Sequence, residues 1–250
     1  MNKRICFMPA LMILALTLVL AIGGQVSSAF GQDLILHQTT TSPGMRGGAP
    51  RTTTSTHYLS SKAMKIVSSD GHDSIIQFDT GKIITIDNKQ KTYTEMTIEQ
   101  LNQMLSKQTA EMGMDKEKLE QMRKMMGTTS DSFSVTKVGA GETIAGYATE
   151  KYLVKGPMEM EIHAAPDLKL PTLYYDAMKM RMQRTPLFDM SKLYDEMKKI
   201  KGYVLKTVTT TRMMNMEMKS ATVVTSVEKG SIPASTFEVP AGYKEVPMKF

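Results

Sequence analysis

The chain has 250 residues, a formal net charge of +6, 24 methionines, no tryptophan and one cysteine. One cysteine cannot form an intrachain disulfide, so the fold must rest on a packed core, which a chain of this length can supply as one domain. Its lysines and arginines form no run that would follow a phosphate backbone, so nucleic acid is not an expected partner, whereas contact with an envelope membrane surface remains open.

Residues 1–29 are typical of a secretory signal peptide. The basic pair Lys3–Arg4 precedes an apolar run from Leu11 to Ile22, and small residues around Ala29 then offer a cleavage site. This layout predicts an exported protein, periplasmic or secreted, whose mature chain has lost the only cysteine and carries a charge of +4. The alternative is an inner-membrane anchor through residues 5–22, a stretch near the lower limit of about 17 residues for a membrane span.

Residues 30–55 are predicted to be a flexible segment with room for a first strand. Their stretch 39–54 is rich in Ser, Thr, Gly and Pro, a composition typical of loops. Residues 56–250 are predicted to form a single β-rich domain. From Thr56 to Thr94, apolar and polar residues alternate between turn signals, which predicts an antiparallel meander with one apolar face.

Two amphipathic helices are predicted after the meander. The sequence Thr97-Ile98-Glu99-Gln100 fits a capping box, in which the threonine hydroxyl and the glutamine amide satisfy free N–H groups at a helix start. Apolar residues then recur at helical spacing as far as Met126, with a break at Gly113.

Strand patterning returns at Phe133 and is interrupted by a turn-like stretch at residues 139–146. Helix is favoured over strand for residues 172–183, and Thr185–Pro186 then starts a clear helical pattern that ends near Gly202. The remaining predicted strands lie at residues 203–212, 214–227 and 235–239. The whole pattern gives about ten or eleven strands.

Four short phrases resemble a known family. They are Thr143-Ile144-Ala145-Gly146-Tyr147 leading into Lys151-Tyr152, Ala165-Pro166-Asp167-Leu168, Gly202-Tyr203-Val204-Leu205, and Thr236-Phe237-Glu238-Val239-Pro240-Ala241-Gly242-Tyr243. Their order over residues 34–246 resembles an uncharacterised family of exported bacterial proteins, a domain of unknown function. That family is similar in layout to the LolA/LolB-like lipoprotein carriers of the periplasm and their outer-membrane receptors.

The resemblance implies an α+β fold that is mainly β, an open antiparallel half-barrel with amphipathic helices covering its concave face. Such carriers shield acyl chains in an apolar hollow. They also use an arginine inside the hollow to organise the lid, and no position of this sequence matches that arginine.

Strand alternation predicts which residues face such a hollow. The predicted ligand-binding residues are apolar, and most of them are methionines, which adapt to partners of different shape. They are Met64, Ile66, Ile76, Phe78, Met158, Met160, Ile162, Met214, Met216 and Met218. The sequence therefore predicts a non-enzymatic, monomeric binding or carrier protein without a cofactor, which shelters a lipid or acyl chain beneath helices that open at Gly113.

The methionines also support a second hypothesis, a periplasmic protein that binds Cu(I) or Ag(I) through thioethers. How Met178, Met180 and Met182 point depends on whether residues 172–183 are helix or strand. A third hypothesis is a structural envelope protein whose hollow is filled by its own helices.

Enzyme motifs are missing from the sequence. There is no GxSxG elbow, and the histidines lack the spacing of a zinc site. These histidines are His37, His57, His72 and His163.

Overall fold

A computed structural model describes residues 32–44, 48–97, 99–100, 103–104, 107, 117–118, 120–121, 133–156, 158–175, 191–213 and 216–247. Within them, twelve strands form one open, curved sheet, and helices are few. The strands are β1 (Asp33–Ser42), β2 (Arg51–Leu59), β3 (Ala63–Ser68), β4 (His72–Gln77), β5 (Lys82–Asp87), β6 (Thr92–Thr97), β7 (Ser134–Ile144), β8 (Tyr147–Lys155), β9 (Glu159–Ala165), β10 (Tyr203–Met213), β11 (Met216–Gly230) and β12 (Lys244–Glu245). Helix α1 spans Ser191–Met197, and a 3-10 turn spans Ala234–Phe237.

The order of strands across the sheet is β12-β6-β5-β4-β3-β2-β1-β11-β10-β9-β8-β7. Neighbours are antiparallel, except that β12 pairs in parallel with β6. Most consecutive strands are joined by short connections, and the longest exceptions are residues 98–133, between β6 and β7, and residues 166–202, between β9 and β10. Of the second segment, residues 166–175 and 191–202 are described, and we call these described residues the 166–202 connection. The pairing of β1 with β11 brings the N-terminal six-stranded meander against the second half of the sheet.

One face of the sheet carries α1. Tyr152 of β8 and Ile162 of β9 share this face and pack in one apolar cluster with Ile200, against which Met197 of α1 also packs. We call it the helix face. Its apolar residues come from alternate strand positions, as a two-residue side-chain period requires.

The register carries the helix face across the centre of the sheet. Ile162 is opposite Thr207, Thr207 is opposite Thr222, and Thr222 is opposite Thr40. The hydroxyl oxygens of Thr40 and Thr222 are 2.9 Å apart, which places both side chains on the same face. In the N-terminal half, register places an apolar row on this face: Leu59, Met64, Ile76, Ile83 and Met96.

The opposite face is covered in part by the C-terminal segment, and we call it the tail face. Ile75, Ile84 and Ile86 of β4 and β5 are buried there and pack with three residues that follow β11. Those three residues are Phe237, Val239 and Tyr243. Two backbone hydrogen bonds, from Lys244 to Lys91 and from Val246 to Tyr93, then hold the segment along β6.

Four predictions about the sheet differ from the structure, and the first concerns the predicted loop at residues 39–54. This loop is wrong at both ends, because β1 runs to Ser42 and β2 begins at Arg51. Threonine is β-branched and suits strands, so its abundance in this stretch favoured pairing rather than a loop. The sheet has twelve strands instead of ten or eleven.

The turn-like stretch at 139–146 is mostly strand. β7 continues to Ile144 through two register shifts, and the turn itself is Ala145–Gly146, both with positive φ. Bulges in an edge strand accommodate glycine without ending the strand.

The strand predicted at 235–239 is a 3-10 turn over Ala234–Phe237, and the final strand is β12. The turn follows Pro233, whose carbonyl accepts the N–H of Thr236. Proline is well suited to the start of a helical turn because it has no N–H to satisfy.

The helix predictions are only partly within the described residues. The capping box is confirmed, since the Thr97 N–H donates to Gln100 Oε1 at 2.8 Å and the Gln100 N–H donates to Thr97 Oγ1 at 3.1 Å. Most of the predicted helices at 98–126, including Gly113, lies outside the described residues, as do Thr185–Pro186. Residues 172–175 are helical, and the rest of 172–183 is not described.

Candidate ligand-binding face

The structure places six of the predicted ligand-binding residues at helix-face positions of described strands. Met64 and Ile162 are buried, and the other four are half-buried. The six are Met64, Ile66, Ile76, Met160, Ile162 and Met218. Phe78 lies just after β4 and two residues beyond Ile76, so the same alternation places it on the helix face. Its side chain is buried.

The positions of the other three predicted ligand-binding residues are less well defined by the structure. Met158 lies just before β9 and is 42% exposed. Met216 is the first residue of β11 and is opposite Met213. Met214 lies outside the described residues, and the copper hypothesis stays a prediction.

The predicted residues form two groups rather than one. Met64, Ile66 and Ile76 lie on β3 and β4, whereas Met160 and Ile162 lie on β9. Between these groups the helix face carries buried apolar side chains such as Leu36 and Val224 together with half-buried hydroxyl side chains. The hydroxyl side chains are Thr40, Thr53, Ser55, Thr207, Ser220 and Thr222. The centre of the face is therefore able to make hydrogen bonds, which the methionine pattern did not indicate.

The 166–202 connection lies against the helix face and reaches the N-terminal half of the sheet. The ring of Tyr174 meets that of Phe78 edge-on, with centroids 5.8 Å apart, and Tyr175 meets Tyr174 in the same way at 5.9 Å. Leu168 is buried, and its carbonyl accepts the N–H of Tyr203 at 2.8 Å. Such edge-to-face pairs fix the position of a covering segment more firmly than apolar contact alone.

A cleft of 80 Å³ lies between this connection and the start of β10. It is lined almost entirely by apolar and aromatic side chains: Leu170, Tyr174, Tyr175, Tyr194, Met197, Lys198, Ile200, Gly202 and Val204. Sites for whole drug-sized ligands measure about 300–1,000 Å³, so this cleft holds a segment of a ligand, such as part of an alkyl chain.

The sequence prediction missed the cleft. The helical spacing of Met197 and Ile200 indicates one face of a helix, whereas the predicted ligand-binding residues follow the alternation of strands and do not include these two. The aromatic pair Tyr174–Tyr175 was the available signal, because adjacent tyrosines in an amphipathic segment commonly bury their rings and keep their hydroxyls near water.

A partly buried pair of polar side chains, His57 and Tyr203, lies beside the connection on the helix face. Nδ1 of His57 is 3.3 Å from the hydroxyl oxygen of Tyr203, and its Nε2 is 2.8 Å from Nε2 of Gln38. Burial lowers the pKa of His57 to about 4 and raises the pKa of Tyr203. Both groups are therefore neutral at pH 7, and they link β2 to the start of β10.

His163 belongs to the tail face and has a different environment. It is 3% exposed, with Nε2 3.0 Å from Oε1 of Glu161 and Nδ1 3.4 Å from the hydroxyl of Thr149. A hydrogen bond from Lys151 lowers the pKa of Glu161. In the described part of the chain, no group of three or more His, Cys, Asp or Glu side chains is arranged to hold a metal ion.

Edge strand β7 is fixed by α1. The Val135 N–H donates to Oε2 of Glu196 at 2.7 Å, and Glu196 also pairs with Lys199 at 2.6 Å. A carboxylate that occupies a free edge N–H also blocks pairing with another strand at that point.

The predicted cover of amphipathic helices over the concave face is not supported, because the described residues contain few helices. These features define a class of protein: a single, almost entirely antiparallel sheet, one face of which carries a small aromatic cleft. The chain belongs to the family described as a domain of unknown function (DUF4412), whose profile matches residues 40–243. No curated protein matches the chain significantly.

Several solved structures are similar to the chain. An uncharacterized conserved protein from Thermus thermophilus has 6% identity and a TM-score of 0.46 over 87% of this chain and 91% of its own. A LolA superfamily protein from Nitrosomonas europaea has 5% identity and a TM-score of 0.33 over 83% and 90%. MucB, solved in complex with MucA(peri), has 13% identity and a TM-score of 0.34 over 88% of this chain and 57% of its own.

None of the described helices is both long and apolar enough to cross a membrane. The predicted signal segment, residues 1–29, lies outside the described residues and stays a prediction.

Proposed function

We propose that this protein is a non-enzymatic periplasmic carrier that binds a lipid or acyl chain on the helix face, with part of the chain inside the aromatic cleft. The observation that carries the proposal is the cleft itself, which opens between apolar side chains of the sheet and of the 166–202 connection. The signal peptide predicted from the sequence supports the periplasmic location.

Burial of an alkyl chain supplies the affinity. Each methylene moved from water onto an apolar surface contributes roughly 0.8 kcal/mol, so about ten methylenes offset the cost of association and leave useful affinity. The cleft takes only the first part of such a chain. The remainder would lie along half-buried apolar residues of the N-terminal group on the same face, such as Ile66 and Ile76.

The cover must move for a ligand to enter. In our proposal the described residues on either side of the cleft, 166–175 and 191–202, move apart from the sheet. The connection re-enters the sheet at Gly202, whose φ of +84° allows a sharp change of chain direction. Helix α1 has seven residues, too few to be stable without its contacts to the sheet.

Filling the cleft tests the proposal. Val204 lines the cleft, so Val204→Phe is expected to weaken binding of the neutral dye N-phenyl-1-naphthylamine by about tenfold or more, which corresponds to about 1.4 kcal/mol. Dye fluorescence would be titrated on the mature protein, and dodecanol would be used to displace the dye.

Val208 provides the matched control. It lies on the same strand and, because Leu205 is an extra residue in the register, on the tail face opposite Glu161. Val208→Phe is expected to leave dye affinity within about twofold, a change of about 0.4 kcal/mol. Wild-type protein that binds neither dye nor dodecanol, or equal affinities for both variants, would refute the proposal.

A further inference from the structure

The described residues around the cleft carry one formal charge, the ammonium group of Lys198. The other lining side chains are aliphatic, aromatic or glycine. A ligand chain inside the cleft would therefore end next to a cation, with no carboxylate among the described lining residues to oppose an anionic headgroup.

From this arrangement we infer that the ligand is an anionic amphiphile, whose alkyl chain enters the cleft and whose carboxylate or phosphate pairs with Lys198 at the mouth. The inference rests on the proposed function and adds the chemical class of the ligand to it. It predicts that the protein distinguishes between ligands whose alkyl chains have the same length and whose headgroups differ in charge.

The position of Lys198 suits this role. Its Nζ is 4.6 Å from the centre of the Tyr194 ring, and Tyr194 is 5% exposed whereas the Lys198 side chain is 49% exposed. The ammonium group thus lies between the buried aromatic wall and water. An alkyl chain that packs against this wall brings its headgroup to the same boundary, and contact with the ring keeps the cation there.

The existing partner of Lys198 is weak enough to be exchanged. Lys198 Nζ is 3.2 Å from Asp195, whose side chain is 70% exposed. Exposed ion pairs of this kind contribute little to stability, so the ammonium group is able to turn to a ligand anion at small cost.

The neighbouring Lys199 provides an internal comparison. It has nearly the same exposure, 55%, and it also pairs with an acidic residue of α1 three positions earlier. Its partner Glu196 is 17% exposed and is fixed by the Val135 N–H, and Lys199 does not line the cleft. Removing the charge of Lys199 therefore changes the local net charge by the same amount as removing that of Lys198. It leaves the mouth of the cleft unchanged.

The test compares dodecanoate, dodecyl phosphate and dodecanol as competitors for the neutral dye at pH 8 and low salt. Wild-type protein is expected to bind both anions about tenfold more tightly than the alcohol, and Lys198→Gln is expected to remove this preference. Lys199→Gln should keep it. Lys198→Glu should reverse it, so that dodecyltrimethylammonium becomes the stronger competitor. Inorganic phosphate, which has no chain, should not displace the dye.

The outcomes separate this inference from the proposed function. If wild-type protein binds dodecanol and dodecanoate equally, the carrier function stands and the anionic class is refuted. If Lys199→Gln loses the preference as fully as Lys198→Gln, general charge explains it and the role of Lys198 is refuted. If inorganic phosphate alone displaces the dye, the site binds free anions and the amphiphile assignment is wrong. If no amphiphile displaces the dye, the carrier function fails with it.

Discussion

Gly202→Ala is expected to lower the free energy of unfolding by about 3 kcal/mol or more. Gly202 has a φ of +84°, and a Cβ atom there would overlap the carbonyl oxygen of Ala165 and meet Pro166 Cα at 2.7 Å. A non-glycine residue at such a φ costs about 1–3 kcal/mol, and a clash with backbone adds to it because backbone cannot rotate away. Urea unfolding followed by circular dichroism would measure the loss.

Gly242 is the control for backbone conformation alone. Its φ is +83°, almost the same, but a Cβ there has no described atom within 4 Å. Gly242→Ala should therefore cost only about 1 kcal/mol. Equal losses for the two variants would show that the close approach of Gly202 to β9 does not exist in solution.

The Gly202 variant also bears on function. Gly202 joins the 166–202 connection to β10 and lines the cleft. Displacing it from Ala165 would widen or misalign the covered part of the helix face. We expect any folded fraction of Gly202→Ala to bind the neutral dye more weakly than Gly242→Ala does.

The second large effect is a loss of stability on acidification that depends on His57. Burial lowers the pKa of this histidine to about 4 from 6.5. The folded state therefore binds fewer protons than the unfolded state between these values, so stability is complete above about pH 6.5 and falls as the pH approaches 4. The loss amounts to about 3 kcal/mol.

The contacts of His57 explain why the charged form is excluded. The amide nitrogen of Gln38 beside Nε2 favours the tautomer in which Nε2 of His57 accepts and Nδ1 carries the proton towards the Tyr203 hydroxyl. Protonation of Nε2 would place two donors 2.8 Å apart in a partly buried site. It would also weaken the link between β2 and the start of β10.

Unfolding free energies at pH 7, 5.5 and 4.5 would test this for wild type, His57→Gln and His72→Gln. His57→Gln should flatten the pH dependence in this range, whereas His72→Gln, at an exposed position of β4, should not. The hydrogen-bonded carboxylates Glu142, Glu150 and Glu161 have lowered pKa values, so their contributions are lost at lower pH. Wild-type stability that is constant from pH 7 to 4.5 would contradict the account.

Local sequence patterns predicted much of the sheet. The alternation at 203–212 and 214–227 corresponds to β10 and β11, and the capping box at Thr97–Gln100 has the expected hydrogen bonds. These features depend on neighbours within a few residues, which a single sequence displays. The loop predicted at residues 39–54 is wrong because its Ser, Thr, Gly and Pro content is typical of loops, whereas its threonines are β-branched and favour strands.

Long-range features could not be predicted from the same patterns. His57 and Tyr203 are 146 residues apart, and they meet only because β1 and β11 join the two halves of the sheet. The contact between Phe78 and Tyr174 likewise depends on the path of the 166–202 connection. Strand alternation identified which residues share a face, but it gave no information on which segment covers that face.

Nuclear Overhauser effects between bound dodecanol and labelled isoleucine methyl groups would decide which face binds the ligand. Adjacent residues provide the contrast, since Ile75 and Ile76 lie on opposite faces of β4. We predict contacts from the alkyl chain to Ile200, which lines the cleft, and to Ile66 and Ile76 farther along the helix face. Contacts confined to the tail-face residues Ile75, Ile84 and Ile86 would contradict this account.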